Sequence, residues 1–190
     1  MCGRYEAGLS ELDIEAYRQA IREIDSMIRQ PFPKQEAYPS QELPIITQTG
    51  FETALWGYPL DKKLIINARS ESITTRPLFS RAIVTDRCLI PAQAYYEWKQ
   101  SKVKFQVETD ELLTMAGLKL NSLSGERFVI ITAEANPQIQ AIHHRMPVLL
   151  RPDQLSDYLF DTEAALSMLH PYEKHLQLTA LTPEQLSLFD

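Results

Sequence analysis

Arg87-Cys88-Leu89-Ile90-Pro91-Ala92-Gln93-Ala94-Tyr95-Tyr96-Glu97-Trp98 contains two short runs, RCLIP and AYYEW, built from branched and aromatic side chains that suit a pleated surface. Each is too short for a stable helix and reads as a strand. Alternation along AYYEW sends Tyr96 and Trp98 to one face and Glu97 to the other. Outward from this pair, LPIITQ, FETALWGY, KLIIN, KFQVE, LLTMAGL, RFVIITA and MPVLL have the same character, so residues 43–150 form a block of strands. Helices are expected at the ends of that block. Tyr17, Ile21, Ile24 and Ile28 recur at helical spacing from Ser10 to Arg29, with Ser10 as N-cap and Pro31 and Pro33 as the stop. Short helices are expected over Asn136–Ile142, Pro152–Phe160 and Thr162–Leu169, the last ended by Pro171. The prolines through Pro39 and Pro44 predict a loop. The sequence therefore predicts an α+β fold: a single domain over residues 1–180, with a mixed, largely antiparallel, strongly curved, barrel-like sheet flanked by helices. Residues 181–190 read as a tail.

The 190 residues carry a net charge of −6. An acidic chain argues against a broad nucleic-acid surface, so any such contact must come from a local cluster. Arg69, Arg76, Arg81 and Arg87 supply one, with Arg4 and Arg145 beside it in the argument. No run approaches the ~18 apolar residues of a membrane span, and MCGRYEAGLS lacks a secretory signal, so a cytoplasmic protein is expected. Two cysteines without a CxxC pair and four histidines without ligand spacing imply no metal site. Cys88, inside RCLIPA, reads as a core residue.

Cys2 has a different chemistry open to it. Removal of Met1, which a small second residue permits, would leave an α-amine and a thiol on adjacent carbons. An α-amine titrates near ~7.7–8.0 against ~10.4 for lysine, so far more of it is nucleophilic at neutral pH. The thiol, near ~8.5, is expected to supply some thiolate. An aldehyde meeting this pair forms an imine with nitrogen. Sulfur then adds to the same carbon and closes a five-membered thiazolidine.

MCGRY at the start, INARSES (66–72), RCLIPAQAYYEW (87–98) and IHHRMPVLL (142–150), in this order, resemble the SOS-response-associated peptidase (SRAP) family. The resemblance implies covalent capture of abasic sites in single-stranded DNA by Cys2, with lyase-like Schiff-base chemistry and no cofactor. It implies that Asn67 holds the terminal amine and opened sugar, and that Glu97 moves protons. His143 would assist sugar opening and reversal. Arg4, Arg69 and Arg145 would contact the DNA backbone or line the site, and Trp56, Pro39 and Met146 would touch flanking nucleotides. A monomer associated with the nucleoid is expected. Two departures stand out: residues 171–182 lack the family's closing segment, and Gln93–Ala94 with Tyr95–Tyr96 replace its usual acidic–glycine turn.

Two other functions fit parts of the sequence. One is an N-terminal-cysteine peptidase or amidase with His143 or Glu97 as base; the other is a non-catalytic single-strand-binding adaptor. The tail adds Gln185-Leu186-Ser187-Leu188-Phe189, whose apolar anchors Leu186, Leu188 and Phe189 match peptides that dock on the bacterial sliding clamp.

Overall fold

The computed structural model describes residues 2–22, 31–100 and 102–181. In chain order the elements are β1 (Tyr5–Leu9), α1 (Glu11–Ala20), β2 (Phe32–Ala37), β3 (Glu42–Thr47), β4 (Gly50–Trp56), β5 (Tyr58–Leu60), β6 (Lys63–Ile65) and β7 (Asn67–Arg69). A 3₁₀ turn at Ser70–Ser72 leads to α2 (Pro77–Ser80) and α3 (Ala82–Thr85), then β8 (Arg87–Pro91), β9 (Ala94–Lys99), β10 (Val103–Glu108), β11 (Thr114–Ser122) and β12 (Gly125–Glu134). The chain finishes through α4 (Pro137–Gln140), β13 (Arg145–Pro147), β14 (Leu149–Leu150), a 3₁₀ turn at Pro152–Gln154, α5 (Leu155–Phe160), α6 (Thr162–Ser167) and β15 (Gln177–Ala180).

Five strands close on themselves. β12 pairs with β4, β4 with β3, β3 with β8, β8 with β11, and β11 returns to β12. All of these pairings are antiparallel except β12–β4, so the ring is mixed and largely antiparallel, and it is flanked by helices as the sequence predicts. A second, five-stranded sheet runs β15-β10-β9-β1-β2.

Both faces of the barrel strands are buried, which is why RCLIP and VIITA read as continuous apolar runs. Ile46, Leu89, Val129 and Ile131 face one cluster, under the helices, with Tyr17, Phe79, Leu155 and Tyr158. Their alternates Ile45, Cys88, Ile90, Phe128 and Ile130 face a second cluster with Cys2, Tyr5 and Tyr95 from the other sheet. Close packing is enforced at Gly117, where an added Cβ would lie 2.6 Å from Ile90 Cδ1 and 3.0 Å from the Val129 carbonyl oxygen. Cys88 is core, as expected.

The first helix starts where the sequence places it. Ser10 Oγ accepts from Asp13 N (3.1 Å), and Ser10 N donates to Asp13 Oδ2 (2.8 Å), a reciprocal cap. It ends at Ala20, and Ile24 and Ile28 lie outside the described residues. Asn136 caps α4, accepting from Ile139 N at 3.0 Å.

The loop expected between Pro31 and Pro44 is corrected. Phe32–Ala37 is an edge strand against β1, and Pro33 falls at the irregularity in register between the Gln35 and Phe32 pairings, a position the ladder tolerates. Pro44 sits within β3, whose contact with β8 begins at Ile46, so no donor is missed there. The end of the domain, not legible in residues 171–182, is made by β15 on β10, with Leu181 N donating to Lys104 O at 2.9 Å.

Arg87 is also reassigned. It is 2% exposed and donates to the carbonyls of Tyr158, Leu159, Ile83 and Val84 and to Thr162 Oγ1, stapling the C-terminal helices to β8. It belongs to the core, not to a DNA-facing cluster. Arg87→Met keeps the stem but strands several buried carbonyls. A loss of roughly 3–5 kcal/mol is expected by analogy with broken buried charged networks. Urea unfolding checks this, and an unchanged midpoint would refute the staple.

Candidate functional site

The N-terminal segment is bound as a strand. Tyr5 pairs with Tyr95 and Glu6 with Ala94, and Tyr96 N donates to Arg4 O at 3.0 Å. One further step in this register sets Gly3 alongside Glu97, so Cys2 arrives beside that residue. Cys2 is fully buried, its thiol directed to Arg4 O at 3.7 Å. Asn67, brought in by the parallel pairing of β7 with β12, donates from Nδ2 to Cys2 O at 3.0 Å. Three of the expected site residues, Cys2, Asn67 and Glu97, thus come together from two sheets.

Their surroundings set their chemistry. Glu97 is 2% exposed, and burial pushes its carboxyl up to about 7, where it can both take and give a proton near neutrality. Burial, and then the proximity of Glu97, push the Cys2 thiol well above its ordinary range. The expected supply of thiolate is therefore corrected: Cys2 is held as a thiol. Tyr5 and Tyr95, both fully buried beside Cys2, were not picked out from the sequence.

His143 is half-buried at the start of the turn into β13. Its Nδ1 lies 3.0 Å from Arg145 N, which donates to it, and burial lowers the ring below the ordinary imidazole value. Arg145 then ties this turn to the β7 end. It donates to both carboxylate oxygens of Glu71 (2.6 and 3.0 Å) and to Thr132 O at 2.6 Å. Arg145, expected to contact the DNA backbone or line the site, is 6% exposed and forms a bidentate clamp that sets His143 relative to Asn67. Among the described residues no group of three or more His, Cys, Asp or Glu side chains could hold a metal ion.

The family described as SOS response associated peptidase (SRAP) matches residues 1–184. The chain belongs to that family. Among its relatives, abasic site processing protein YoaM of Bacillus subtilis (strain 168) is 35% identical over 205 residues, covering 91% of this chain and 87% of that protein. Abasic site processing protein YedK of Escherichia coli (strain K12) is 25% identical, covering 84% and 79%. A solved structure of a protein from Bordetella bronchiseptica superposes with a TM-score of 0.77 at 22% identity, covering 95% of this chain and 100% of that one. At that identity it establishes the fold.

Within this SRAP chain the residues expected to touch DNA divide. Arg69, Arg76 and Arg81 are exposed. Arg69 and Arg76 line a cavity of about 590 Å³ that begins at Asn67 and has an apolar floor including Ile65, Leu78 and Phe79. Arg4 is 39% exposed, paired with Glu36 at 3.2 Å and set 4.1 Å above the Tyr38 ring. Pro39 is partly exposed on the neighbouring turn. Trp56 and Met146 are corrected, since both are fully buried. Trp56 meets Tyr5 edge-on at 5.2 Å and stacks on Phe128 at 6.3 Å, leaving no ring face for a base. Tyr96 and Trp98 do lie opposite Glu97, but they carry cations: Lys104 sits 3.9 Å from the Tyr96 ring and 5.7 Å from Trp98. The core face of β9 is the face of Tyr95 and Glu97. No helix among the described residues is long and apolar enough to cross a membrane.

Proposed function

We propose that this protein processes abasic sites in single-stranded DNA, capturing them covalently through Cys2 once Met1 is removed. The observation that carries this reading is the meeting of Asn67 and Glu97 at Cys2, with Asn67 bonded to its carbonyl at 3.0 Å and Glu97 titrating at about 7. Relatives that match most of the chain are named for abasic site processing.

The Cys2 amine attacks C1′ of the ring-opened deoxyribose, and water leaves as the imine forms. The thiol then adds to the imine carbon, giving a thiazolidine that resists hydrolysis. Glu97 carries the protons, and Asn67 holds the Cys2 backbone so that the amine presents one direction. His143, kept neutral by burial, assists opening of the sugar and reversal. Exposed Arg69 and Arg76 engage phosphates, while a duplex would shield the aldehyde. Sealed inside the adduct, the lesion is protected during the DNA-damage (SOS) response.

Incubating the Met1-free protein with a single-stranded oligonucleotide bearing one abasic site tests the proposal. A heat-stable adduct is expected; turnover of peptides without an adduct would favour the peptidase, and reversible binding alone the adaptor. The clamp-docking peptide lies outside the described residues and stands as a separate proposal. Wild type is expected to be retained on immobilised sliding clamp and Leu188→Ala/Phe189→Ala to be lost. Equal retention would remove that partner.

A further inference from the structure

Tyr5 and Tyr95 carry hydroxyls that the chemistry above leaves unused. Both side chains are fully buried, and neither oxygen has a hydrogen-bond partner among the described residues. An unpaired phenolic O–H in a dry interior is unfavourable, and phenylalanine would fill the same space without that penalty. Two such groups in one place call for an explanation.

They are not scattered. Tyr5 and Tyr95 stand directly opposite one another across the β1–β9 pair, so their side chains share a face. Glu97, two residues on from Tyr95, lies on that same face. Cys2 belongs to the same buried cluster as both tyrosines. A third buried polar atom without a partner, Asn67 Oδ1, is on the side chain already bonded to Cys2.

We propose that Tyr95, seconded by Tyr5, is a positioning residue for the Cys2 sulfur, its hydroxyl bonding to that atom while the second bond of the crosslink forms. The inference rests on the crosslinking reading and adds to it a group for ring closure. In that step the S–C1′ bond forms as the imine π bond breaks. The thiol proton passes by way of Glu97 to the imine nitrogen, so nothing is lost and no further reactant enters. As the proton leaves, sulfur gathers negative charge in surroundings where burial disfavours a thiolate. An O–H that reaches sulfur during this step offsets that charge where it develops. Burial also raises Tyr95 well above the ordinary phenol value, so it stays a donor throughout the working range.

The test compares Met1-free wild type with Tyr95→Phe on the same abasic oligonucleotide, each with and without borohydride. Borohydride fixes an imine and so reports first capture; survival of heat without it reports the closed ring. For Tyr95→Phe, borohydride-dependent capture is expected within about twofold of wild type. Heat-stable product should form roughly a hundredfold more slowly, the lower end of the effect of removing one donor placed at developing charge. The melting temperature is expected to be equal or higher, which a structural role for the hydroxyl would not give. Tyr5→Phe, read the same way, should show a smaller defect. Wild-type rates of ring closure in both variants would overturn the inference and leave the crosslinking reading intact. So would a parallel fall of both products, which would put the hydroxyl at capture. No adduct from the wild type itself would end both.

Discussion

Cys2→Ser is expected to abolish the heat-stable DNA adduct while still allowing an imine that borohydride can fix. The variant keeps the α-amine and the strand that delivers it, because residues 4–6 make their backbone bonds to β9 regardless of the side chain at position 2. What it loses is the sulfur that converts a hydrolysable imine into a ring. The fall in heat-stable product should be on the order of a hundredfold or more, since the intramolecular second attack supplies the stability. Protein that retains Met1 should give no heat-stable product, because its amine is three atoms farther from sulfur and sharing a carbon would need an eight-membered ring in place of a five-membered one. Gel analysis of heated and reduced samples reads all three. A heat-stable adduct from Cys2→Ser would mean that another residue makes the bond.

Glu97→Gln should slow crosslinking by on the order of a hundredfold, the usual scale for a lost proton-transfer group. It should also change the pH profile. The wild-type rate is expected to rise through about 7 as Glu97 ionises, and again near the ~7.7–8.0 of the α-amine; the variant should keep the second limb alone. Stability moves the opposite way. Glu97 is raised in the folded state, so below the ordinary carboxyl range both states are protonated and no penalty exists. As pH rises toward 7 the unfolded chain ionises while the folded one resists, and stability is lost across that window. The penalty is on the order of 3 kcal/mol at its largest, and glutamine does not suffer it. Urea midpoints should therefore agree near pH 4, with the variant ahead at pH 8. Equal midpoints at both would contradict a buried, strained carboxyl.

The barrel was legible because both faces of its strands are buried: RCLIP became β8 residue for residue, and LPIITQ and RFVIITA became the cores of β3 and β12. The second sheet was harder to see. β2, FPKQEA, is mostly exposed, and β15, QLTA, is exposed throughout, so neither carries an apolar pattern and both exist through backbone pairing on an edge. At the candidate site, motif order singled out Cys2, Asn67 and Glu97, which the fold brings together, yet composition could not separate a guanidinium that meets solvent from one that fixes the fold. Arg87 and Arg145 look like Arg69 in the sequence; depth distinguishes them. Trp56 was misread for the same reason, although Ala54 and Trp56 alternating with exposed Thr53 is the signal that would have turned it inward. Tyr5 and Tyr95 were not singled out because a hydroxyl without a partner leaves no trace in a pattern of apolar residues.

The sealing of Cys2 against β9 imposes an order in time on the making of this molecule. An aminopeptidase works on an extended, accessible leader, whereas in the fold Cys2 is fully buried. The strand that shuts it away is about ninety residues downstream in the sequence, so it has not yet been synthesised when the first residues leave the ribosome. Removal of Met1, where the proposed function holds, is therefore expected on the nascent chain. On the proposed reading, an affinity tag fused ahead of residue 1 would leave Cys2 without an amine of its own and the whole population without the reacting group.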